Sequence, residues 1–173
     1  MKKQLYLILF LLTVANLCAQ SGYPEPKAET NRLFYIQHSN NHNTFVYDAN
    51  FIKPKELNTT EPIKIYRITY TKGGIREELS NIQRKMAYGV DIIKKNTVSA
   101  EFKLVSYAAK SLSLKLNHDG KPYVTVNVNG KELVLRKMFL SCNKIGTSVK
   151  TIDFYGKNTA TGKEVCERLV VKE

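Results

Sequence analysis

The sequence lacks most of the signatures by which a chain declares its chemistry. It has no nucleophile elbow, no Cys–His spacing of a known kind and no phosphate-binding glycine loop; Gly73-Gly74 reads as a turn. Beyond residue 12 no apolar run approaches the roughly 20 residues that a membrane helix needs, so an integral membrane protein is not expected. There is no internal repeat and no low-complexity tract. Basic residues are abundant but nowhere adjoin in runs longer than two, so the formal charge of +12 describes a solvated surface rather than a nucleic-acid footprint. Histidine is scarce, with three residues. His38 and His42 have the spacing of a metal pair on a helix, but they bracket an Asn-rich turn and His118 is remote. No metal site and no cofactor is therefore expected.

What is present begins with an address. Lys2 and Lys3 precede the apolar run Leu5 to Leu12, and small or polar residues follow to Ala19, the pattern of a cleavable signal peptide over residues 1–19. A lipoprotein at Cys18 is the less favoured alternative, because Leu17 is large where a small residue is wanted. The expected location is periplasmic or secreted. Loss of Lys2 and Lys3, with no acid, takes the charge from +12 to +10. Cys142 and Cys166 remain, an even pair in an oxidising compartment, so a disulfide between them and two separate thiols both stay open.

Residues 20–30 hold two prolines and little apolar content and read as a flexible lead-in; residues 31–173 are one domain by length. Its body is a succession of alternating segments. Leu112, Leu114 and Leu116 share one face of a strand, as do Val124, Val126 and Val128 of the next. Asn129-Gly130 then marks a type I′ hairpin, and Asp119-Gly120 a weaker turn of the same kind. About eight or nine strands in meander order predict a mainly β fold, a single antiparallel barrel or a two-sheet sandwich. One helix is expected over about residues 75–88. At 100° per residue, Ile75, Leu79, Ile82 and Met86 fall in a sector of about 60°, a core-facing stripe, and Gly89 is placed to end the helix.

Four stretches carry a resemblance: LSNIQRKMAYG (79–89), NRLFYIQHSNNHNTFVY (31–47), EPIKIYRITYTKGG (61–74) and TIDFYGKNTATGKEVCE (151–167). In order and spacing they resemble a family of small exported Bacteroidota proteins, domain of unknown function family 4833. The resemblance implies no activity. His38 and Arg67 depart from it, standing where an arginine and an aromatic are usual.

The candidate ligand-binding residues are Tyr35 and Gln37 on one strand face, Tyr66 and Tyr70 on another, and Gln83, Arg84 and Tyr88 on the helix. Arginine grips carboxylate or phosphate in two bonds, and tyrosines stack on sugars or apolar groups. No catalytic residue stands out. A carboxylate pair assembled from Glu77, Glu78, Asp48 or Asp153 carries almost no weight, because any chain of this size supplies one. The expected function is a non-catalytic periplasmic binding or accessory module for a small or anionic envelope component. A hydrolase of envelope glycan or lipid, and a structural partner of an envelope protein complex, are the alternatives.

Overall fold

Asn129 and Gly130 adopt φ of 52° and 78°, the left-handed pair that a tight hairpin requires and that the dipeptide announces. The computed structural model describes residues 23–145 and 148–171. The leader expected over residues 1–19, its cleavage point and Cys18 lie outside them. The strands, in chain order, are β1 (Arg32–His38), β2 (Asn41–Ala49), β3 (Phe51–Lys53), β4 (Glu56–Leu57), β5 (Ile63–Thr69) and β6 (Ile75–Glu78). After the helical segment come β7 (Val90–Lys95), β8 (Ser99–Leu104), β9 (Tyr107–Leu116), β10 (Pro122–Val128), β11 (Lys131–Cys142), β12 (Val149–Asn158) and β13 (Glu164–Val170). The fold is mainly β with one short helix, as expected, but among the described residues the strands number 13 rather than eight or nine. The short β3, β4 and β6 are too brief to show a period, and β7 lacks a clean one.

One large sheet runs β6-β5-β2-β1-β11-β10-β9-β8-β7, and β3 pairs with β4 apart from it. The sheet forks at β11. Along its length β11 pairs with β12, which in turn pairs with β13. On its other edge the first half takes β10, with Val134 opposite Thr125, and the second half takes β1, with Lys137 opposite Tyr35. Arg136 is the extra residue at the fork, where the β11–β12 register slips. Its partner strand carries Gly156 there, and a Cβ on that glycine would lie 2.2 Å from the Val134 carbonyl oxygen. The β1–β11 pairing is parallel, so the sheet is mixed and not purely antiparallel.

The two arms of the fork curl until their inner faces meet in a half-barrel. Phe34 of β1 stacks on Tyr47 of β2 at 4.4 Å and reaches Phe102 of β8, on the opposite arm, at 6.5 Å. These rings, with Ile36, Ile65, Leu114 and Val126, belong to one core. Strands β1 and β2 are buried on both faces over most of their length. Their outer face therefore needs a cover of its own.

The expected helix over 75–88 is corrected in its first half. Gly73 and Gly74 both take φ of 78° and reverse the chain, so Ile75–Glu78 pairs with β5 as a strand, Glu77 opposite Arg67. Only after Ser80 does the chain coil: α1 (Asn81–Gln83) runs straight into a π turn, Arg84–Tyr88. The apolar stripe is not core. Leu79 is buried, but Ile75, Ile82 and Met86 are 47%, 72% and 74% exposed. The helical period spans residues that belong to two kinds of structure, the strand that follows the glycine pair and the coil that follows Ser80. Among the described residues no helix is long and apolar enough to cross a membrane.

Candidate functional site

Between the arms, beside the π turn, lies a cavity of about 230 Å³. Ile36 and His38 of β1, Met138 and Leu140 of β11, and Ala87 and Tyr88 of the π turn contribute to it, with Leu104 and Tyr107 from the other arm. The alternation of β1 explains the histidine's place. Phe34, Ile36 and His38 share the inner face, so the strand that begins as core ends by presenting an imidazole to an apolar space.

His38 is 8% exposed. Its ring stands edge-on to Phe45 at 5.8 Å and to Tyr88 at 5.5 Å, and those two rings stack on each other. The Tyr88 carbonyl accepts a 2.7 Å hydrogen bond from the Tyr47 hydroxyl, and the Ala87 carbonyl one of 2.6 Å from Ser106 Oγ. The π turn is thereby fastened to both arms. Nδ1 of His38 lies 3.8 Å from Cys142 Sγ. Nε2 is buried and has no hydrogen-bond partner among the described residues. Burial pushes the imidazole down to about 4 and the Cys142 thiol up, so both are neutral near pH 7.

That burial gives the fold a pH dependence. Between 6.5, its ordinary value, and about 4, the unfolded chain binds a proton at His38 that the native state refuses. The unfolded state then holds more protons, so this stability is fully present above pH 6.5 and is lost as pH falls toward 4. The loss should reach about 3 kcal/mol. Denaturant midpoints measured from pH 7 to 4 should fall accordingly, and His38→Phe should flatten that fall.

The seven candidate residues separate into four places. Tyr88 alone lines the cavity. Tyr35 and Tyr66 pack with Val46 and Ile68 in a second small cluster on the outer face of the β1 arm. Gln37, on the same face, is fully buried and donates to Thr44 Oγ1 at 2.9 Å and to the Pro24 carbonyl at 2.8 Å. Tyr70 sits in a 3-10 turn leading to β6, its ring against Gly74. Gln83 completes a capping box: its backbone N–H donates to Ser80 Oγ, and its side-chain oxygen accepts from the Ser80 N–H at 3.1 Å. Arg84 lies 3.6 Å from Glu61 and 3.7 Å from Glu78, partly exposed ion pairs that hold the helix to its neighbours. Cys142 and Cys166 are not bonded to each other. The first stands opposite Val149 in β12 and the second opposite Tyr155, on different strands at different heights, so the disulfide left open by the sequence does not form.

The outer face is held by its own chemistry. Arg32 donates to Asp48 at 2.6 Å and to the Tyr66 hydroxyl at 3.0 Å, and the Arg76 guanidinium lies 3.5 Å from the Tyr66 ring centre. Lys137 sits within 5.3–5.9 Å of the rings of Tyr35, Phe139 and Tyr155. Residues 23–30 form no regular structure and run along this face. Tyr23 packs edge-on to Phe139 at 5.0 Å and against His42 at 5.2 Å, and its hydroxyl donates to the Ser39 carbonyl. The carboxylates weighed as a catalytic pair are each engaged separately: Asp48 by Arg32, Asp153 by Arg168, and Glu77 by Thr69, Lys72 and Arg67, which hold it down to about 2.

His38 is the residue that sequence reasoning set aside. The spacing of His38 and His42 suggests a metal pair, but His42 packs on Tyr23 while His38 packs on Phe45 and Tyr88. The usable signal was a polar residue continuing the apolar face of Phe34 and Ile36.

No curated protein and no solved structure matches the chain. A family model does, over residues 34–168. That span runs from β1 to β13 and contains both His38 and the π turn, whereas residues 23–30 precede it. The chain belongs to the family described as Domain of unknown function (DUF4833).

Proposed function

We propose that this protein is a non-catalytic binding module, exported to the cell envelope, that holds a small apolar molecule carrying a single hydroxyl group in the cavity beside the π turn. One observation carries the reading: a buried imidazole nitrogen without a partner, on a residue that lines an apolar space. Burying a polar group unpaired costs about 1–3 kcal/mol, a penalty that a ligand supplying the missing bond removes. Water is a poor occupant, since it wants two to four polar partners and the cavity is mostly hydrocarbon. A hydroxyl on an apolar body meets both demands, and it can donate to or accept from either tautomer of the ring.

Size narrows the class. An apolar cavity of about 150 Å³ stays dry and takes benzene, whereas drug-sized ligands occupy roughly 300 Å³ or more. At about 230 Å³ the space suits one substituted ring or a short branched chain. The neutral state of His38 favours an uncharged hydroxyl over an anion. The non-catalytic reading is preferred because a cysteine nucleophile works as thiolate, and the Cys142 thiol is pushed the other way. Export rests on the leader pattern of Lys2, Lys3 and Leu5 to Leu12.

The test is calorimetric titration of the protein with p-cresol and with toluene, which differ by the hydroxyl. The phenol should bind about tenfold more tightly, and His38→Phe should abolish the difference while leaving an apolar site. Ala87→Phe, which fills the cavity, should remove binding of both. Equal affinities for the two molecules in the unaltered protein, or binding of neither, would falsify the reading.

A further inference from the structure

The outer face of the β1 arm carries an unmet demand of its own, independent of the cavity. Gln37 is fully buried, and its amide nitrogen donates to the Pro24 carbonyl, yet its amide oxygen has no partner among the described residues. The amide is oriented unambiguously, because the Pro24 carbonyl can only accept. In an extended chain the N–H and C=O of one residue point to the same side, so a carboxamide can pair with both at once. Proline has no N–H. The segment that lies on Gln37 therefore meets half of what the side chain offers.

The surroundings are those of a peptide site. Phe139 receives the Tyr23 ring, Tyr35 lies beside Glu25, and Lys137 stands close enough to Glu25 to feel its charge. Aromatic grooves of this kind take extended, proline-containing segments. A cleft of about 430 Å³ continues beside Pro26 with Tyr123, Arg136 and Lys157 among its lining residues, so the groove is larger than its occupant. The family match begins at Phe34, which puts the groove's strands within the domain and the segment filling it outside.

We propose that the aromatic face of β1 and β11 is a binding groove for an extended peptide of another protein, with an aromatic residue followed by a non-proline residue and an acid, and that Tyr23-Pro24-Glu25-Pro26 occupies it as an incomplete internal ligand. Proline at position 24 keeps that ligand displaceable. A competitor with an N–H there pairs with both ends of the Gln37 amide.

Two fluorescently labelled peptides test this against the intact protein: residues 21–29 of its own sequence, and the same peptide carrying Pro24→Ala. Anisotropy should show the alanine peptide binding about tenfold more tightly. Tyr23→Ala in the protein should loosen the internal segment and raise the affinity of both peptides, and Gln37→Ala should erase the preference between them. Within the protein itself, Pro24→Ala should raise the melting temperature, although removing a proline ordinarily lowers it. Equal affinity for the two peptides, binding of neither to the protein or its Tyr23→Ala variant, or a lowered melting temperature for Pro24→Ala would each overturn the proposal.

Discussion

Gly89→Ala is expected to destabilise the protein by about 3 kcal/mol and to weaken p-cresol binding in whatever remains folded. Glycine at a helix end is usually explained by the left-handed conformation, and the sequence invites that explanation. Here φ is −68° and ψ 174°, ordinary extended backbone. The requirement is space. A Cβ on Gly89 would stand 1.9 Å from the carbonyl oxygen of Arg84 and 2.9 Å from its carbon. No rotamer change relieves a clash with backbone, so the π turn has to open. Ala87 and Tyr88, which line the cavity, lie within that turn, and the Gly89 carbonyl accepts from Val105 on the facing arm. Thermal unfolding should register the loss, and calorimetric titration the weaker binding. A variant with unchanged melting temperature and affinity would show that the turn yields at little cost.

Arg168→Ala should cost more, about 3–5 kcal/mol, because it strands a carboxylate. Asp153 is fully buried in the middle of β12 and accepts two bonds from Arg168 of β13, at 2.6 and 2.8 Å. The arginine is 56% exposed, so its own removal uncovers little apolar surface; the penalty lies with the partner left behind. At about 2–4 °C per kcal/mol for a chain of this size, the melting temperature should drop by roughly 6–20 °C. Arg168→Lys keeps the charge but not the two-pronged geometry and should fall between. Replacing both residues, Asp153→Leu with Arg168→Ala, should recover much of the loss. A drop of under about 2 °C for Arg168→Ala would mean that the carboxylate finds water or other donors without it.

The sequence was most legible where structure is set by neighbours along the chain. Asn129-Gly130 forced its hairpin, and the alternating leucines of β9 and valines of β10 found the core, with Leu112, Leu114, Val124 and Val126 all buried. It was least legible where a distant edge decides. Ile75, Leu79, Ile82 and Met86 satisfy a helical period as well as any core stripe. Only the free edge of β5, which captures Ile75–Glu78, shows why the period does not apply. The parallel insertion of β1 beside β11 has no local signature at all.

The candidate residues show the same division. Tyr88 lies in the helical segment, where the sequence places it, and lines the cavity. Tyr35, Gln37 and Tyr66 lie on the strand faces that alternation predicts, whereas Tyr70, expected beside Tyr66 on its strand, falls in a 3-10 turn. What the sequence did not disclose is that residues 23–30, with a composition typical of a linker, lie over that face. Spacing alone casts His38 as a metal ligand, a role defined by partners, whereas its setting is defined by the apolar face it ends.

The parallel pairing of β1 with β11 also orders events in time. The first strand of the domain can pair early only with β2; its other edge is completed when Tyr35 to His38 meet Lys137 to Leu140, near the far end of the chain. Closing so long a loop is slow, and rates fall as such non-local contacts come to dominate a topology. Until then β1 presents an open row of backbone donors and acceptors, flanked by apolar side chains, to any other chain nearby. The fork that shapes the half-barrel thus makes late synthesis or slow docking of β11 the interval in which this protein is most exposed to association with its own copies.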